Sequence, residues 1–185
     1  TVGASELLRQ IYDRMFVENS DVIPFYFAVK KSDKSAKQCA VRFLQTFLAQ
    51  TIAFRRQDTT IFDNSPEICE LTELVLPSDG YWIDKIIDTC LRETRLNNDR
   101  AFVRQALSAP LRGVANHARF FVMIDNLHEA ENFSDEPDLI EELNEIYARS
   151  SVSFVFAGHR RFIYEKFLGN YESLALHSLS FSEAG

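Results

Sequence analysis

The sequence predicts an α/β domain, helix-rich, with a mostly parallel sheet carrying helices on both faces. Three observations predict it. Phe120-Phe121-Val122-Met123-Ile124 is an unbroken apolar run closed by Asp125, as expected of a strand covered on both faces. Apolar residues at helical spacing fill the stretches between this run and other short apolar runs, and strands alternating with helices call for parallel pairing. Of the 185 residues, 46% are hydrophobic and 12% aromatic, enough for one domain, residues 1–185, with a sizeable core.

Taken in order, Leu7, Leu8, Ile11, Tyr12, Met15 and Phe16 share one helical face, with Ser5 a suitable N-cap and Glu6 an acid in the first turn. Phe25 to Val29 is a short strand reached through Pro24, which has no N–H for a ladder and so suits a sheet rim or a strand start. A long helix from about Lys34 to Arg56 follows, with Ala40, Phe43, Leu44, Phe47, Leu48 and Ile52 on its buried stripe and Arg55 and Arg56 at its negative end. Pro66 opens a helical stretch to about Leu76, Pro77 to Gly80 reads as a turn, and Ile83, Ile86, Ile87, Cys90 and Leu91 mark another amphipathic helix. Two short helices broken at Pro110 lead into the Phe120 strand. Beyond an acidic loop from Glu129 to Asp138, Leu139 to Tyr147 is helical, Val152 to Ala157 a strand, Arg160 to Leu168 a helix, and Ser173 to Leu179 a last strand.

The bulk properties exclude several classes. A formal charge of -7 and a pI near 5.1 argue against a nucleic-acid surface over the whole domain. Lys30, Lys31, Lys34 and Lys37 form the one basic cluster, equally a solvated loop and helix start. Cys39, Cys69 and Cys90 are odd in number, lack CxxC spacing and fall in segments that read as helical and buried, so neither a disulfide framework nor a zinc site is indicated and a cytoplasmic compartment is expected. No apolar run approaches the roughly 18 to 20 residues of a membrane span. Because the chain opens on Thr1, it is expected to be a piece of something longer.

Asp125 at the carboxyl end of its strand lies where parallel sheets bind ligands, although a core strand followed by an Asx turn has the same sequence. Other landmarks follow in order. Val2-Gly3-Ala4-Ser5 running into Glu6-Leu7-Leu8-Arg9-Gln10 resembles the tail of a Walker A loop entering its helix. Asp125-Asn126-Leu127-His128-Glu129-Ala130 is similar to a Walker B stretch, Phe154 to Arg161 to a sensor-1 strand, and Leu179 to Ala184 to the segment leading into a lid. Together these resemble the AAA+/STAND class of P-loop NTPases. The resemblance implies a core that binds ATP or ADP with Mg2+ and acts as a signalling or assembly switch. Gly3, Ala4, Ser5 and Glu6 would cradle phosphate, Ser5 and Asp125 would hold magnesium, and His159 would occupy the sensor-1 position. Partners would be other domains of a parent protein or separate proteins, with oligomerisation compatible.

Two departures bear on activity. Ala4 stands where the class carries its phosphate-binding Lys, and a methyl group cannot neutralise phosphoryl charge. Asn126 stands where the second Walker B acid is usual, and an amide can orient a water without accepting its proton. Glu129 is close enough in sequence to be considered as a substitute base, though an acid in such a loop is also an ordinary solvated residue. Ala4 and Asn126 therefore favour an alternative, a pseudo-ATPase kept as a protein-interaction module with weak or no nucleotide binding. A DNA-handling core using the lysine cluster is a third reading, opposed by the net charge. The strand preceding the Walker A loop would lie between the sensor-1 strand and the last strand, outside this sequence. His128-Glu129 has no second His at zincin spacing, there is no G-x-S-x-G elbow, and His117, His128, His159 and His177 read as surface or capping residues.

Overall fold

In the computed structural model, which describes residues 3–63, 66–133, 136–167, 169 and 171–176, three parallel strands form one sheet among many helices. The strands are β1 (Val22–Ala28), β2 (Arg119–Asp125) and β3 (Ser153–Phe156), with β2 in the centre. Val22 to Ala28 pair in step with Arg119 to Asp125, and Phe121 to Ile124 with Ser153 to Phe156. All three carboxyl ends therefore emerge along one border of the sheet, with Asp125 in the middle.

The helices are α1 (Ala4–Glu18), α2 (Ala36–Arg56), α3 (Thr60–Asp63), α4 (Ile68–Glu73), α5 (Pro77–Arg95), α6 (Asp99–Leu107), α7 (Ala109–Ala115), α8 (Leu139–Tyr147) and α9 (Arg160–Phe167), with a 3-10 turn at Leu127–Asn132. α1 and α2 pack on β1, α7 packs on β2, and α6 bridges α2, α5 and α8. Aromatic rings join these layers. Phe25 meets Phe43 and Phe47 edge-on at 4.9 and 5.3 Å, and Phe120 lies 5.2 Å from Phe47 and 6.3 Å from Trp82. Burial of each such ring contributes about 1.5–3 kcal/mol, and edge-to-face contacts add about 0.5–1.5 kcal/mol.

β1 lies at the rim of the sheet, as Pro24 implies, and its outer side is sealed. The N–H and C=O of one strand residue point the same way, and Val29 N–H bonds to Asp125 C=O, so Pro24, Tyr26 and Ala28 face outward. Pro24 has no donor. Tyr26 N–H donates to Gln50 Oε1 at 2.8 Å while Gln50 Nε2 donates to Tyr26 C=O at 2.8 Å, and Arg42 donates to Ala28 C=O at 2.8 Å. The α2 side chains thus substitute for a neighbouring strand. β3 differs: Ala157 N–H bonds to Ile124 C=O, so Phe154 and Phe156 turn their backbone groups outward, where no described strand pairs with them. Their half-buried rings pack with Tyr171 and with Tyr147 of α8.

Several boundaries depart from the sequence reading. Pro77 to Gly80 is not a turn but the first turn of α5: Pro77 sits at its start, where a missing N–H goes unneeded. The helical stretch before it shrinks to α4. The break between α6 and α7 falls at Ser108, and Pro110 belongs to the first turn of α7. The acidic loop begins as the 3-10 turn. Residues 173–176 form no strand, and 177–179 lie outside the described residues, as do the lid-like segment from Leu179 and His177. Cys39 and Cys90 are buried, but Cys69 is exposed on the short α4. The lysine cluster is anchored at buried Asp33, which accepts from Arg42 and from Lys30 N–H, and Lys37 pairs with Asp99 at 2.7 Å. No described helix is long and apolar enough to cross a membrane.

Candidate functional site

β2 ends on Asp125, which is only 1% exposed. Its Oδ1 accepts from Asn126 N–H at 2.7 Å and its Oδ2 from the Tyr26 hydroxyl at 3.0 Å. The carboxylate thus holds the next backbone N–H, close to the expected Asx alternative, while also reaching across to β1. Burial first, and then the Asp125 carboxylate, keep the Tyr26 hydroxyl above its ordinary pKa and so a hydrogen-bond donor; the Arg9 guanidinium pulls the other way. Arg9 belongs to α1, one turn past Ser5 and on the same helix face. α1 packs on β1, the strand whose Tyr26 reaches Asp125.

α1 begins differently from the sequence reading. Gly3, not Ser5, is its N-cap: Gly3 adopts φ 84°, and its C=O accepts from Leu7 N–H at 2.8 Å. Ser5 lies inside the first turn, flanked by Ala4 and Glu6. Among the described residues no side chain caps this end, the positive end of the helix. A Cβ added at Gly3 would meet nothing within 4 Å, so the requirement for glycine there is conformational, from the positive φ.

Past Asp125, Asn126 takes the left-handed conformation at φ 56°, which Asn tolerates better than most residues, and starts the 3-10 turn. That turn is pinned to β3, since Leu127 N–H bonds to Ala157 C=O at 3.0 Å. It sets His128 against His159, which follows β3; the ring centroids are 3.7 Å apart and inclined at 61°. His128 is not the surface residue its sequence context suggests, because its side chain is only 15% exposed. Its Nε2 lies 3.6 Å from Glu129 Oε1, and its Nδ1 is buried without a hydrogen-bond partner. Burial, followed by the neighbouring His159, lowers the pKa of His128, against the pull of Glu129 and Asp125. Glu129 is thus turned toward an imidazole rather than left as a solvated acid.

A cleft of about 500 Å3 opens beside this pair, lined by His128, Glu131, His159, Arg160, Arg161 and Glu165 among others. A second, of about 360 Å3, lies beside β1 near Tyr12, Lys30 and Arg42. Among the described residues no three His, Cys, Asp or Glu side chains converge as a metal cluster. The buried thiols offer no nucleophile: burial pushes Cys39 up to about 12 and Cys90 up to about 11.

Of the residues singled out in the sequence, Asp125, Asn126, Glu129 and His159 thus gather at the carboxyl ends of β2 and β3. Gly3, Ala4, Ser5 and Glu6 open α1, which packs on β1, the strand that carries Tyr26. Nothing in the sequence singles out Tyr26 or the partly buried state of His128. No family model, curated protein or solved structure matches the chain.

Proposed function

We propose that the chain is the nucleotide-binding core of a regulatory ATPase of the AAA+/STAND kind, with the P-loop type of sheet, in which ATP or ADP with magnesium biases contacts with neighbouring domains or partner proteins. The observation that carries this reading is an acid buried at the end of the central parallel strand and bonded to Tyr26 of β1, the strand on which the glycine-started α1 packs. First-turn N–H groups at Gly3 to Glu6 suit phosphate, the Ser5 hydroxyl suits a magnesium ligand, and Asp125 suits an acceptor for a magnesium-bound water. The residues fit the group in part. Ala4 provides no charge for the phosphates, Asn126 cannot take a proton from water, and Glu129 already faces His128. Hydrolysis is accordingly slow or absent in this reading.

A second reading, a pseudo-ATPase serving as a protein-interaction module, is favoured by one specific observation. Both oxygens of Asp125 are already engaged and the side chain is buried, so the fold is stabilised by that acid without any ion. Calorimetric titration with ATP and magnesium, on this chain and on Ala4→Lys, separates the two. The nucleotide reading expects binding by the unmodified chain and binding roughly tenfold tighter or more with the restored charge, since a charge-assisted hydrogen bond contributes about 1.5–3 kcal/mol. Heat of binding absent from both proteins would remove it and leave the pseudo-ATPase.

A further inference from the structure

We infer that the cavity beside β1, between α1 and α2, is a binding site for a small organic monoanion: a carboxylate carried on an aromatic or branched aliphatic body. This site is independent of the nucleotide reading, since its wall includes neither the start of α1, nor Asp125 and Asn126, nor the residues after β3.

The cavity follows from a second stripe on α2. Arg42, Gln45, Thr46, Ala49 and Gln50 recur at helical spacing beside the apolar stripe that faces the core, and all five line the opening. Their polar groups are largely spent inside the protein. Gln50 is bonded to the Tyr26 backbone, Gln45 Nε2 donates to Pro66 C=O at 2.9 Å, and the Thr46 hydroxyl donates to Arg42 C=O at 2.7 Å. The Arg42 guanidinium is held by Asp33 and by Ala28 C=O, with its carbon 4.3 Å from the centre of the Phe27 ring. These bonds fix the wall, so a ligand need not order it.

What the cavity offers a ligand is therefore narrow. Tyr12 of α1 and Phe62 of α3 contribute aromatic rings 6.3 Å apart and inclined at 58°, and with Ala49 and Pro66 they make an apolar surface. Lys30, just past β1, adds an ammonium group. Among the described residues Lys30 has no ion-pair partner, whereas Arg42 is paired with Asp33 and Lys37 with Asp99. Lys30 and Arg42 against Asp33 leave one excess positive charge. The chain as a whole carries -7. Exposed charges more than about 8–10 Å away are largely screened at physiological salt, however, so the local excess governs. One positive charge matches a monoanion, and a phosphate dianion would leave a charge uncompensated against apolar walls. A volume of about 360 Å3 lies at the small end of the range for ligand sites, about 300–1,000 Å3.

NMR titration of the backbone amides of the whole chain with 3-phenylpropionate tests this, with 3-phenylpropionamide and inorganic phosphate as comparisons. The carboxylate should bind with a Kd of about 1–10 mM, as expected for a ligand of about eleven heavy atoms. Its shifts should cluster at Tyr12, Lys30, Ala49 and Phe62. The amide has the same shape without the charge and should bind about tenfold more weakly, the worth of a charge-assisted hydrogen bond. Lys30→Gln changes an exposed side chain and keeps the backbone N–H that reaches Asp33, and it should cause a similar loss. The amide comparison needs no variant, so it decides the matter even if Lys30→Gln disturbs the loop. Equal binding of the amide, undiminished binding by a folded Lys30→Gln, shifts clustered elsewhere, or no saturable shift overturns the site. Phosphate binding as tightly as the carboxylate overturns the monoanion with an apolar body.

Discussion

Gly113 in α7 carries the sharpest packing prediction. A Cβ built there would lie 2.4 Å from Phe120 Cε2 and 3.1 Å from its Cζ. Ordinary carbon contacts lie near 3.5–4.0 Å, so one of the partners must move by roughly 1 Å. The ring has nowhere to go: Phe120 is 4% exposed and sits between Phe47 and Trp82. Overpacking of this kind costs about 1–3 kcal/mol, whereas replacing a helical Gly by Ala returns about 0.8–1.0 kcal/mol of helix propensity. Gly113→Ala should therefore destabilise the chain by about 0.5–2 kcal/mol net. In urea, with a slope of about 2 kcal/mol per molar, the midpoint should fall by about 0.3–1 M with an unchanged slope. The sign should reverse once the ring is shortened. In a Phe120→Leu background, Gly113→Ala should stabilise by about 0.5–1 kcal/mol, giving a coupling energy of about 1–3 kcal/mol between the two positions. Circular dichroism of the four proteins across a urea series measures all of these quantities. Stabilisation by Gly113→Ala in the parent chain, or a coupling near zero, would refute the claim that the ring is wedged.

Three further outcomes are expected. Tyr26→Phe removes the hydroxyl that donates to Asp125 and should cost about 1.5–3 kcal/mol in chemical denaturation, as a hydrogen bond to a charged acceptor does; no loss would mean Asp125 does not depend on β1. Gln50→Ala deletes both bonds to the Tyr26 backbone and should cost about 2 kcal/mol, at about 1 kcal/mol each. The bared strand edge should also promote self-association, which sedimentation velocity would reveal, and a monomeric, undiminished variant would count against the sealing role. Because His128 has a lowered pKa in the folded chain, the unfolded chain binds more protons as pH falls below its ordinary value of about 6.5. Its contribution to stability is thus complete at neutral pH and is lost as pH falls through the folded value. Urea melts of His128→Gln should show a shallower decline between about pH 7 and 5.5 than the parent, and parallel curves would contradict the assigned environment.

The parallel sheet was legible because its signals are local: the Phe120 to Ile124 run, the Pro24 rim strand and the Phe43 to Ile52 stripe each carry their own periodicity. Helix starts were less so. Pro77 can open a turn or a helix, and what decides is whether the downstream face, here Trp82, Ile83 and Ile86, finds a core to bury it. Ser5 lost the cap position because Gly3 can take the positive φ that turns the chain into α1. Within the candidate site, Asp125 announced itself by ending an apolar run, but Tyr26 became its partner only when β1 and β2 aligned, and His128 was drawn inward by the bond between Leu127 and Ala157. Those are consequences of strand register, which no short stretch of sequence encodes.

The two sides of the described sheet respond differently to an added strand. Gln50 and Arg42 already occupy the outward groups of Tyr26 and Ala28, so a segment approaching β1 must displace them, whereas no described strand pairs with Phe154 and Phe156. A further strand, from the same polypeptide or from another, therefore joins at β3, and the order β1-β2-β3 grows from one side.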